Sequence, residues 1–294
     1  MKKIDLHIHT DNSDGTKSFC EIIDMAVQHN IKVISITDHD TISGYTKQNI
    51  EYANKKGINL ITGVEISTKT QKCGIHVLGY NIDITDKNLN TELYKLRNSR
   101  HIYLRDVTDV LRNLGYIVNY EKLDGIETVT KAHIAEDIVN NPKNRKKLIS
   151  EFGSVPSKGL FIETLMNEGQ KAFVKKNSMS LQKAAEIIRS AGGIVVLAHP
   201  VAYTYEDGLT DMEIMNIINS LKADGIEGYY IYINKNNEVI NDIDKWVTFA
   251  NKHSLFSTIG SDFHKEDGIR PTVGLENVIN QSEIVDTDEI LSNF

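Results

Sequence analysis

The chain has 294 residues, of which 40% are hydrophobic and 25% are charged, as is ordinary for a globular protein. This length suffices for one large α/β domain or for a barrel with an insertion. The 33 Lys and Arg residues against 40 Asp and Glu residues give a formal charge of −7, which argues against a protein that binds duplex DNA non-specifically. A small phosphorylated substrate is compatible with this charge, because bound divalent cations would reverse the local field.

The N-terminus and the two cysteines indicate a cytoplasmic protein. A strand is predicted directly after Met1-Lys2-Lys3, which leaves no room for a signal peptide. No apolar run approaches the roughly 18 residues needed to cross a bilayer, so we expect no association with a membrane. Cys20 and Cys73 have no C-x-x-C partner and are predicted to be buried free thiols.

Strands and helices alternate over the first part of the chain. Ser18, with Glu21 three residues later, predicts a capped helix over 18–29. The other elements predicted here are strands at 2–9, 33–37, 58–66 and 73–80 and a helix at 43–56. Alternation at this spacing is typical of a parallel sheet or barrel.

The pattern changes after residue 83. One long helix is predicted over 87–114, and a polar, mostly helical stretch over 116–180. The alternation then resumes, with helices at 181–191, 211–222 and 236–252 and strands at 193–198, 226–233 and 255–259. We therefore predict one α/β domain formed by 1–83 and 181–294, with 84–180 as a mainly helical insertion that covers its site. The last residues are polar and weakly patterned.

Candidate metal ligands follow short apolar runs along the whole chain. The segments are Asp5-Leu6-His7-Ile8-His9, Asp14, Thr37-Asp38-His39-Asp40, Gly63-Val64-Glu65, His76, Ala198-His199-Pro200 and Asp262-Phe263-His264. All except Asp14 fall at the carboxyl ends of predicted strands, where α/β barrels and open parallel sheets place their sites. This placement predicts one shared site.

The spacing and residue types of two motifs predict specific roles for their side chains. His7 and His9 are two residues apart on a strand, so both point to the same face, and Asp5 is expected to orient an imidazole there. Asp40 or its neighbour Asp38 is expected to hold a ring nitrogen or to accept a proton from bound water. A helix N-cap is an equally good interpretation of Asp40.

Glu65 is our candidate for a bridge between ions, because an unpaired carboxylate at the end of an apolar strand is costly to bury. The candidate ligands are too many for one ion and suit two or three that share Glu65: His7, His9, Asp14, His39, Glu65, His76, His199, Asp262 and His264. Imidazoles and carboxylates without thiolates suit Mn²⁺, Zn²⁺ or Fe²⁺. Such a cluster would activate a water molecule and clamp phosphoryl oxygens.

The strings DLHIHT, TDHD, GVE, AHP and GSDFH, in this order and at these distances, resemble the PHP (polymerase and histidinol phosphatase) family from residue 3 to about 275. The strings GVEIS, VLGYNID and TKAHIA are most similar to its branch of nucleoside 3′,5′-bisphosphate phosphatases, some members of which also degrade short RNAs from the 5′ end. The resemblance implies a distorted (β/α)₇ barrel with a helical insertion and a trinuclear site. It assigns three ion sites, held by His7, His9, Glu65 and Asp262, by Glu65, His76 and His199, and by Asp14, His39 and His264.

The resemblance also implies substrate contacts in the insertion. Arg97, Arg100 and His133 match positions expected to face the phosphates or the base, and arginine offers a bidentate fork for phosphate. The alternatives are a solvated helix face for the two arginines and a helix N-terminal position without a ligand for His133.

Together these features predict a metal-dependent phosphatase that hydrolyses a phosphate monoester of a small nucleotide, such as the 3′-phosphate of adenosine 3′,5′-bisphosphate. Asp40, Glu65 and His264 are the candidates for the catalytic groups. A 5′-to-3′ exoribonuclease acting on short single-stranded RNA is the alternative. Histidinol-phosphate phosphatase or another small-molecule phosphatase is a further alternative, as is a non-catalytic metal-binding regulatory module.

Overall fold

The computed structural model describes residues 3–126, 129–175, 178–234, 236–275, 278–279, 281 and 286–294. The chain forms two compact units. The first consists of Met1–Leu93 and Met179–Phe294, and the second is Tyr94–Ser178. That residues 84–180 form an insertion covering the active site stays a prediction.

The first unit is built on a mostly parallel sheet. The strands in the described residues are β1 Lys3–Ile8, β2 Ile31–Ile36, β3 Asn59–Lys69, β4 Gly74–Tyr80, β5 Ile194–Leu197, β6 Gly225–Tyr229, β7 Tyr232–Ile233, β8 Val239–Ile240 and β9 Phe256–Ile259. The main sheet has the order β1-β2-β3-β4-β5-β6-β9, and β7 pairs only with β8. Strand β4 is antiparallel to both its neighbours, whereas the other pairs of the main sheet are parallel.

The sheet closes on itself beyond β9. The backbone N–H of Asp262 donates to the carbonyl of His7 at 2.8 Å, and the N–H of His9 donates to the carbonyl of Phe263 at 2.9 Å. These bonds join the end of β1 to the segment that follows β9, so the first and last strands are neighbours. The predicted α/β barrel is thereby confirmed.

The β3–β4 hairpin distorts the barrel. Strand β3 runs on to Lys69, beyond the predicted end at 66, because it pairs with β4 from Gly63 opposite Tyr80 to Lys69 opposite Gly74. Only residues 70–73 separate the two strands, and a parallel return needs a crossover of about a dozen residues or more. Strand β4 therefore returns antiparallel.

Each separately predicted helix is present, and two of them begin later than predicted. In the described residues the helices are α1 Phe19–Gln28, α2 Lys47–Lys55, α3 Lys87–Asn113, α4 Tyr120–Asp124, α5 Lys131–Asn140, α6 Arg145–Phe152, α7 Lys158–Phe161, α8 Leu181–Ser190, α9 Pro200–Glu206, α10 Asp211–Leu221, α11 Ile243–Lys252 and α12 Thr287–Leu291. None of them is both long and apolar enough to span a bilayer.

Local hydrogen bonds explain where the helices begin. The predicted capping box is present at α1, where the Ser18 side chain accepts the N–H of Glu21 and the Glu21 carboxylate accepts the N–H of Ser18. Helix α2 begins later than predicted because Thr46 is its N-cap. Helix α11 begins at Ile243 instead of 236 because the β7–β8 hairpin occupies the preceding residues. Helices α9 and α12 were not predicted.

Each unit has its own hydrophobic core. In the first unit, β1 contributes Ile4 and Leu6, and the weakly patterned C-terminal segment contributes Leu275 and Ile290, which are buried in the same cluster. In the second unit, a separate cluster gathers buried residues from Tyr103 to Ala172. Both cysteines are free; Cys73 is buried as predicted, whereas Cys20 is only half-buried.

Truncation of Leu6 should destabilise the first unit. Leu6 is fully buried in the core of that unit, and replacing a buried leucine by alanine costs about 2–5 kcal/mol. We expect Leu6→Ala to lower the free energy of unfolding by that amount in urea, followed by the fluorescence of Trp246, the single tryptophan, which is buried in α11. Met212→Ala, at a side chain that is 76% exposed, is the control and should change it by less than about 0.5 kcal/mol; equal effects would contradict the core assignment.

Candidate metal centre

Strand β1 brings two imidazoles to one place. His7 lies in β1 and His9 follows directly after it, so the two-residue period of the strand directs both rings to the same side. Both side chains are fully buried. Their Nε2 atoms lie 3.1 Å apart, as the spacing predicted.

Glu65 and Asp262 complete a group of four donor atoms. Glu65 Oε2 lies 3.3 Å from His7 Nε2 and 3.1 Å from His9 Nε2. Asp262 Oδ1 lies 3.4 Å and 3.1 Å from the same two nitrogens. Four ligands placed tetrahedrally at about 2.0–2.1 Å from an ion would be roughly 3.3–3.4 Å apart. The spacing therefore fits one ion among these four atoms.

The second oxygen of Glu65 faces two further histidines. Oε1 lies 3.0 Å from His76 Nδ1 and 3.2 Å from His199 Nε2. Glu65 is in the interior of β3 and not at its end, which corrects the prediction. The antiparallel return of β4 places His76 opposite Ser67, two residues from Glu65 and on the same face of the sheet. The carboxylate thus lies between two groups of imidazoles.

The remaining predicted ligands lie on another side of this cluster. Asp14 Oδ1 is 3.2 Å from His264 Nε2, and Asp14 Oδ2 is 3.7 Å from His39 Nε2. The other nitrogen of His39, Nδ1, is 3.1 Å from Glu65 Oε2. The rings of His9 and His264 stack with their centroids 4.1 Å apart. The structure therefore brings all the predicted ligand residues together, in overlapping groups linked through His9, His39 and Glu65, with His199 beside Glu65.

The chemistry of these atoms fits bound cations. Within the described residues, Asp14 Oδ1, His39 Nδ1, Glu65 Oε2 and His199 Nδ1 are buried without a hydrogen-bond partner. A buried polar atom without a partner costs about 1–3 kcal/mol or more, and a concentration of them at one place needs a common explanation. Divalent ions accept electron pairs from imidazole and carboxylate together, so these residues fit the predicted metals.

The pKa values at the centre also favour bound cations. Burial raises the pKa of Glu65, but His39, His76 and His7 hold it well below its ordinary value. Burial lowers the pKa of His39 to about 3. Burial also lowers the pKa of His9, but the adjacent carboxylates of Asp262 and Glu65 raise it to about 10. A metal ion would replace that proton.

Comparison with known proteins assigns the family. The model of the PHP domain matches residues 5–195. A 5′-3′ exoribonuclease of Haemophilus influenzae is 32% identical to this chain over 266 residues, which cover 90% of each. The chain belongs to the PHP family. The predicted resemblance is confirmed.

Two further proteins are similar to this chain over most of its length. A 3′,5′-nucleoside bisphosphate phosphatase of Chromobacterium violaceum is 28% identical over 90% of this chain and 88% of that one. The structure of an amidohydrolase from the same organism, with bound sulfate, is 25% identical and superimposes with a TM-score of 0.72 over 91% of this chain and 89% of that one. The predicted class of enzyme, a metal-dependent phosphoesterase of the PHP type, is confirmed.

Three acidic residues of the PHP motifs have different partners from those expected. The Asp5 carboxylate accepts backbone N–H groups, those of His7, Ser261 and Gly274 at 3.3, 2.9 and 2.7 Å. Asp38 accepts the N–H and hydroxyl of Thr10 at 2.7 and 2.6 Å. Asp40 is not a helix N-cap, since Thr46 caps α2; its Oδ1 accepts the N–H of Ser67 at 2.7 Å.

Two residues at the centre were not predicted. Glu227 lies in β6 and its Oε1 is 3.0 Å from His7 Nδ1. The Tyr230 hydroxyl donates to Asp262 Oδ2 at 2.9 Å. A single acidic residue in the apolar run Gly225–Tyr229 is the same signal that singled out Glu65, so Glu227 was accessible to sequence reasoning, whereas Tyr230 carried no such signal.

Three residues at the centre have left-handed backbone conformations. The φ angles are 27° for His199, 54° for Asp40 and 51° for Asp262. Aspartate tolerates this region, but His199 precedes Pro200 and is far from the extended conformation that a following proline favours. Such conformations cost roughly 1–3 kcal/mol each and persist only where surrounding contacts impose them.

The predicted substrate residues lie in the second unit. Arg97 and Arg100 are on α3; Arg97 is half-buried and Arg100 is buried, so a fully solvated helix face is the wrong interpretation for Arg100. His133 is the third residue of α5, where its Nδ1 accepts the N–H of Thr130 at 3.2 Å and the Thr130 hydroxyl accepts the N–H of His133 at 3.3 Å. Their contacts with substrate stay predictions.

Gly260→Ala should disturb the centre directly. A Cβ at this position would lie 2.2 Å from His7 Cβ and 2.3 Å from Glu227 Oε1, so both side chains would have to move. We expect a loss of about 1–3 kcal/mol in the free energy of unfolding in urea, because added atoms in a packed interior force such shifts. Gly74→Ala is the control, since the nearest atom to its Cβ is 3.9 Å away. A loss as large at Gly74 would contradict the steric explanation.

Proposed function

We propose that the clustered histidines and carboxylates hold two or three divalent ions, Mn²⁺, Zn²⁺ or Fe²⁺, with Glu65 shared between them. The observation that carries this proposal is that the two oxygens of the buried Glu65 carboxylate face different imidazoles. Oε2 faces His7, His9 and His39, and Oε1 faces His76 and His199. One carboxylate with imidazoles around both oxygens is the arrangement that a bridge between ions requires. The Asp14, His39 and His264 group would hold the third ion.

The function that these ions support best is hydrolysis of a phosphate monoester of a small nucleotide, with the 3′-phosphate of adenosine 3′,5′-bisphosphate as the leading candidate. The Chromobacterium violaceum relative named as a 3′,5′-nucleoside bisphosphate phosphatase supports this choice. So does the sulfate in the related structure, since sulfate has the charge and shape of a phosphoryl group. Arg97, Arg100 and His133 are proposed as the residues that contact the nucleotide.

The protein side chains have distinct tasks in this reaction. Bound ions would supply an activated water molecule and neutralise the charge that develops on the phosphoryl oxygens. His264 Nδ1 donates to the carbonyl of Asp262 at 2.8 Å; because a carbonyl only accepts, the lone pair of the neutral ring is on Nε2, which faces Asp14. His264 is therefore assigned to holding an ion through Nε2. Both oxygens of Glu65 face imidazoles, so we also assign Glu65 to holding ions, and Asp40 to proton transfer at the site.

A 5′-to-3′ exoribonuclease acting on short RNA is the second candidate. The Haemophilus influenzae relative named as a 5′-3′ exoribonuclease supports it. So does the charge of the second unit, Tyr94–Ser178, which has 15 Lys and Arg residues against 10 Asp and Glu residues and a formal charge of +5. A basic surface is the usual requirement for binding several phosphates of one strand.

The decisive experiment offers both substrates in parallel. The protein is incubated with Mn²⁺ and either adenosine 3′,5′-bisphosphate or a 5′-phosphorylated RNA pentamer, and free phosphate and released mononucleotides are measured. Phosphate from the bisphosphate alone establishes the nucleotide phosphatase, whereas mononucleotides from the pentamer establish the exonuclease. No product from either, with metal bound, would reject both and direct the search to sugar and amino-alcohol phosphates such as histidinol phosphate.

Glu65→Ala should abolish activity through loss of metal. Because the replacement removes ligand atoms from two proposed ion sites, we expect at least two fewer ions per chain by atomic absorption. We also expect more than about 100-fold lower phosphate release, since loss of an outer partner of a ligand alone costs about 10–100-fold. Glu238→Ala, at an exposed position in the β8 hairpin, is the matched control and should leave both quantities unchanged. Retained metal content in Glu65→Ala would refute the bridge.

Arg100→Ala should affect substrate selection more than chemistry. If Arg100 contacts a phosphate of the nucleotide, its loss raises KM for adenosine 3′,5′-bisphosphate roughly tenfold or more, because a charged hydrogen bond contributes about 1.5–3 kcal/mol. Hydrolysis of an aryl phosphate should be spared. Arg105→Ala, at an exposed residue paired with Asp106, is the control. An equal loss on both substrates would rule out a role in specificity.

A further inference from the structure

A buried glutamate outside the proposed ligand set reaches two of the ligands. Glu227 lies in β6 and is 1% exposed. Its Oε1 and Oε2 lie 3.0 and 3.2 Å from His7 Nδ1. Its Oε2 also accepts the backbone N–H of His199 at 2.9 Å. Both contacts are made to residues whose ring nitrogens face Glu65.

The contact with His7 determines which ring nitrogen carries the hydrogen. An ionised carboxylate can only accept hydrogen bonds, so the nitrogen beside it, Nδ1, is the donor. In a neutral imidazole the lone pair is then on Nε2, the atom that lies 3.3 Å from Glu65 Oε2 and 3.4 Å from Asp262 Oδ1. A metal-ligating histidine needs this arrangement.

The contact with His199 restrains its backbone. His199 has a φ of 27° and is followed by Pro200, a conformation that does not persist without external contacts. The N–H of His199 is anchored on Glu227 Oε2, and its Nε2 is thereby held 3.2 Å from Glu65 Oε1. One carboxylate therefore restrains two imidazoles that face the two different oxygens of Glu65.

Gly260 lies directly against Glu227 and His7. A Cβ at residue 260 would lie 2.3 Å from Glu227 Oε1 and 2.2 Å from His7 Cβ, so the glycine provides the space in which these side chains meet. Asp5 is equally buried, but its carboxylate accepts backbone N–H groups, those of His7, Ser261 and Gly274.

We propose that Glu227 is a positioning residue of the metal centre, which fixes the His7 ring with Nε2 toward the ion and restrains the His199 backbone at a second ion. This inference rests on the proposed ligand roles of His7 and His199. It does not depend on which substrate is hydrolysed.

The test uses Zn²⁺ as the probe. In ¹⁵N-histidine-labelled protein loaded with Zn²⁺, we expect the NMR shifts of His7 to show a protonated Nδ1 and a coordinated Nε2. In Glu227→Gln the amide has one acceptor oxygen for two N–H donors, so one of the two contacts is lost or His7 changes tautomer. Zinc affinity, measured by competition with a chelator, should fall about 10–100-fold. Glu227→Asp, which keeps the charge on a shorter side chain, should recover part of the loss.

Two controls separate positioning from folding. Asn144→Ala removes a buried polar side chain of the second unit that bonds the backbone of Ile117 and Ile138, so it should lower the melting temperature and leave zinc affinity close to that of the wild type. Glu238→Gln removes an exposed charge and should change neither. Unchanged zinc affinity in a folded Glu227→Gln protein would overturn the proposal. If that variant does not fold, the wild-type spectrum decides, because coordination of His7 through Nδ1 would overturn it equally. Substrate assays play no part, so a wrong substrate would not be mistaken for a wrong role of Glu227.

Discussion

The structure depends on the compensation of one buried charge. Glu65 lies in the interior of β3 with its side chain almost completely inaccessible to solvent, and an isolated carboxylate in such a place is too costly to persist. The barrel surrounds it with five imidazoles within about 3.3 Å. These rings bring lone pairs as well as positive charge, so the arrangement that stabilises the carboxylate is also one that attracts metal ions.

The topology of the sheet supplies these rings from distant parts of the chain. His7 and His9 come from the end of β1, and the bonds between this strand and residues 262–263 bring Asp262 beside them. His76 arrives by a different route, through the short β3–β4 hairpin. The closed sheet and its one antiparallel strand are therefore both requirements of the centre. The barrel is distorted because the loop of residues 70–73 is too short to let β4 return parallel to β3.

The sequence predicted the members of the cluster well and their surroundings poorly. Histidines and carboxylates that follow apolar runs can be recognised as candidate metal ligands by residue type alone, because few structural roles explain so many of them. Their hydrogen-bond partners depend on closure of the barrel. Glu227 and His7, for example, are 220 residues apart in the sequence, so no local pattern predicts their contact. Asp5 was expected to orient an imidazole, but its position in the strand did not reveal that its carboxylate accepts the backbone N–H groups of His7, Ser261 and Gly274. Helix α9 was missed because it begins at Pro200, directly after His199, whose left-handed backbone conformation the sequence did not indicate.

The net charge of −7 is the sum of opposite formal charges on the two units. With +5 on Tyr94–Ser178, the remainder of the chain carries a formal charge of −12. An acidic barrel favours cations and opposes phosphate, so its affinity for a phosphorylated substrate depends on the ions that it holds. The positive formal charge of the second unit attracts anions without any bound ion. Removal of metal is therefore expected to separate the two contributions: the barrel would lose its attraction for phosphate, and the second unit would keep its own.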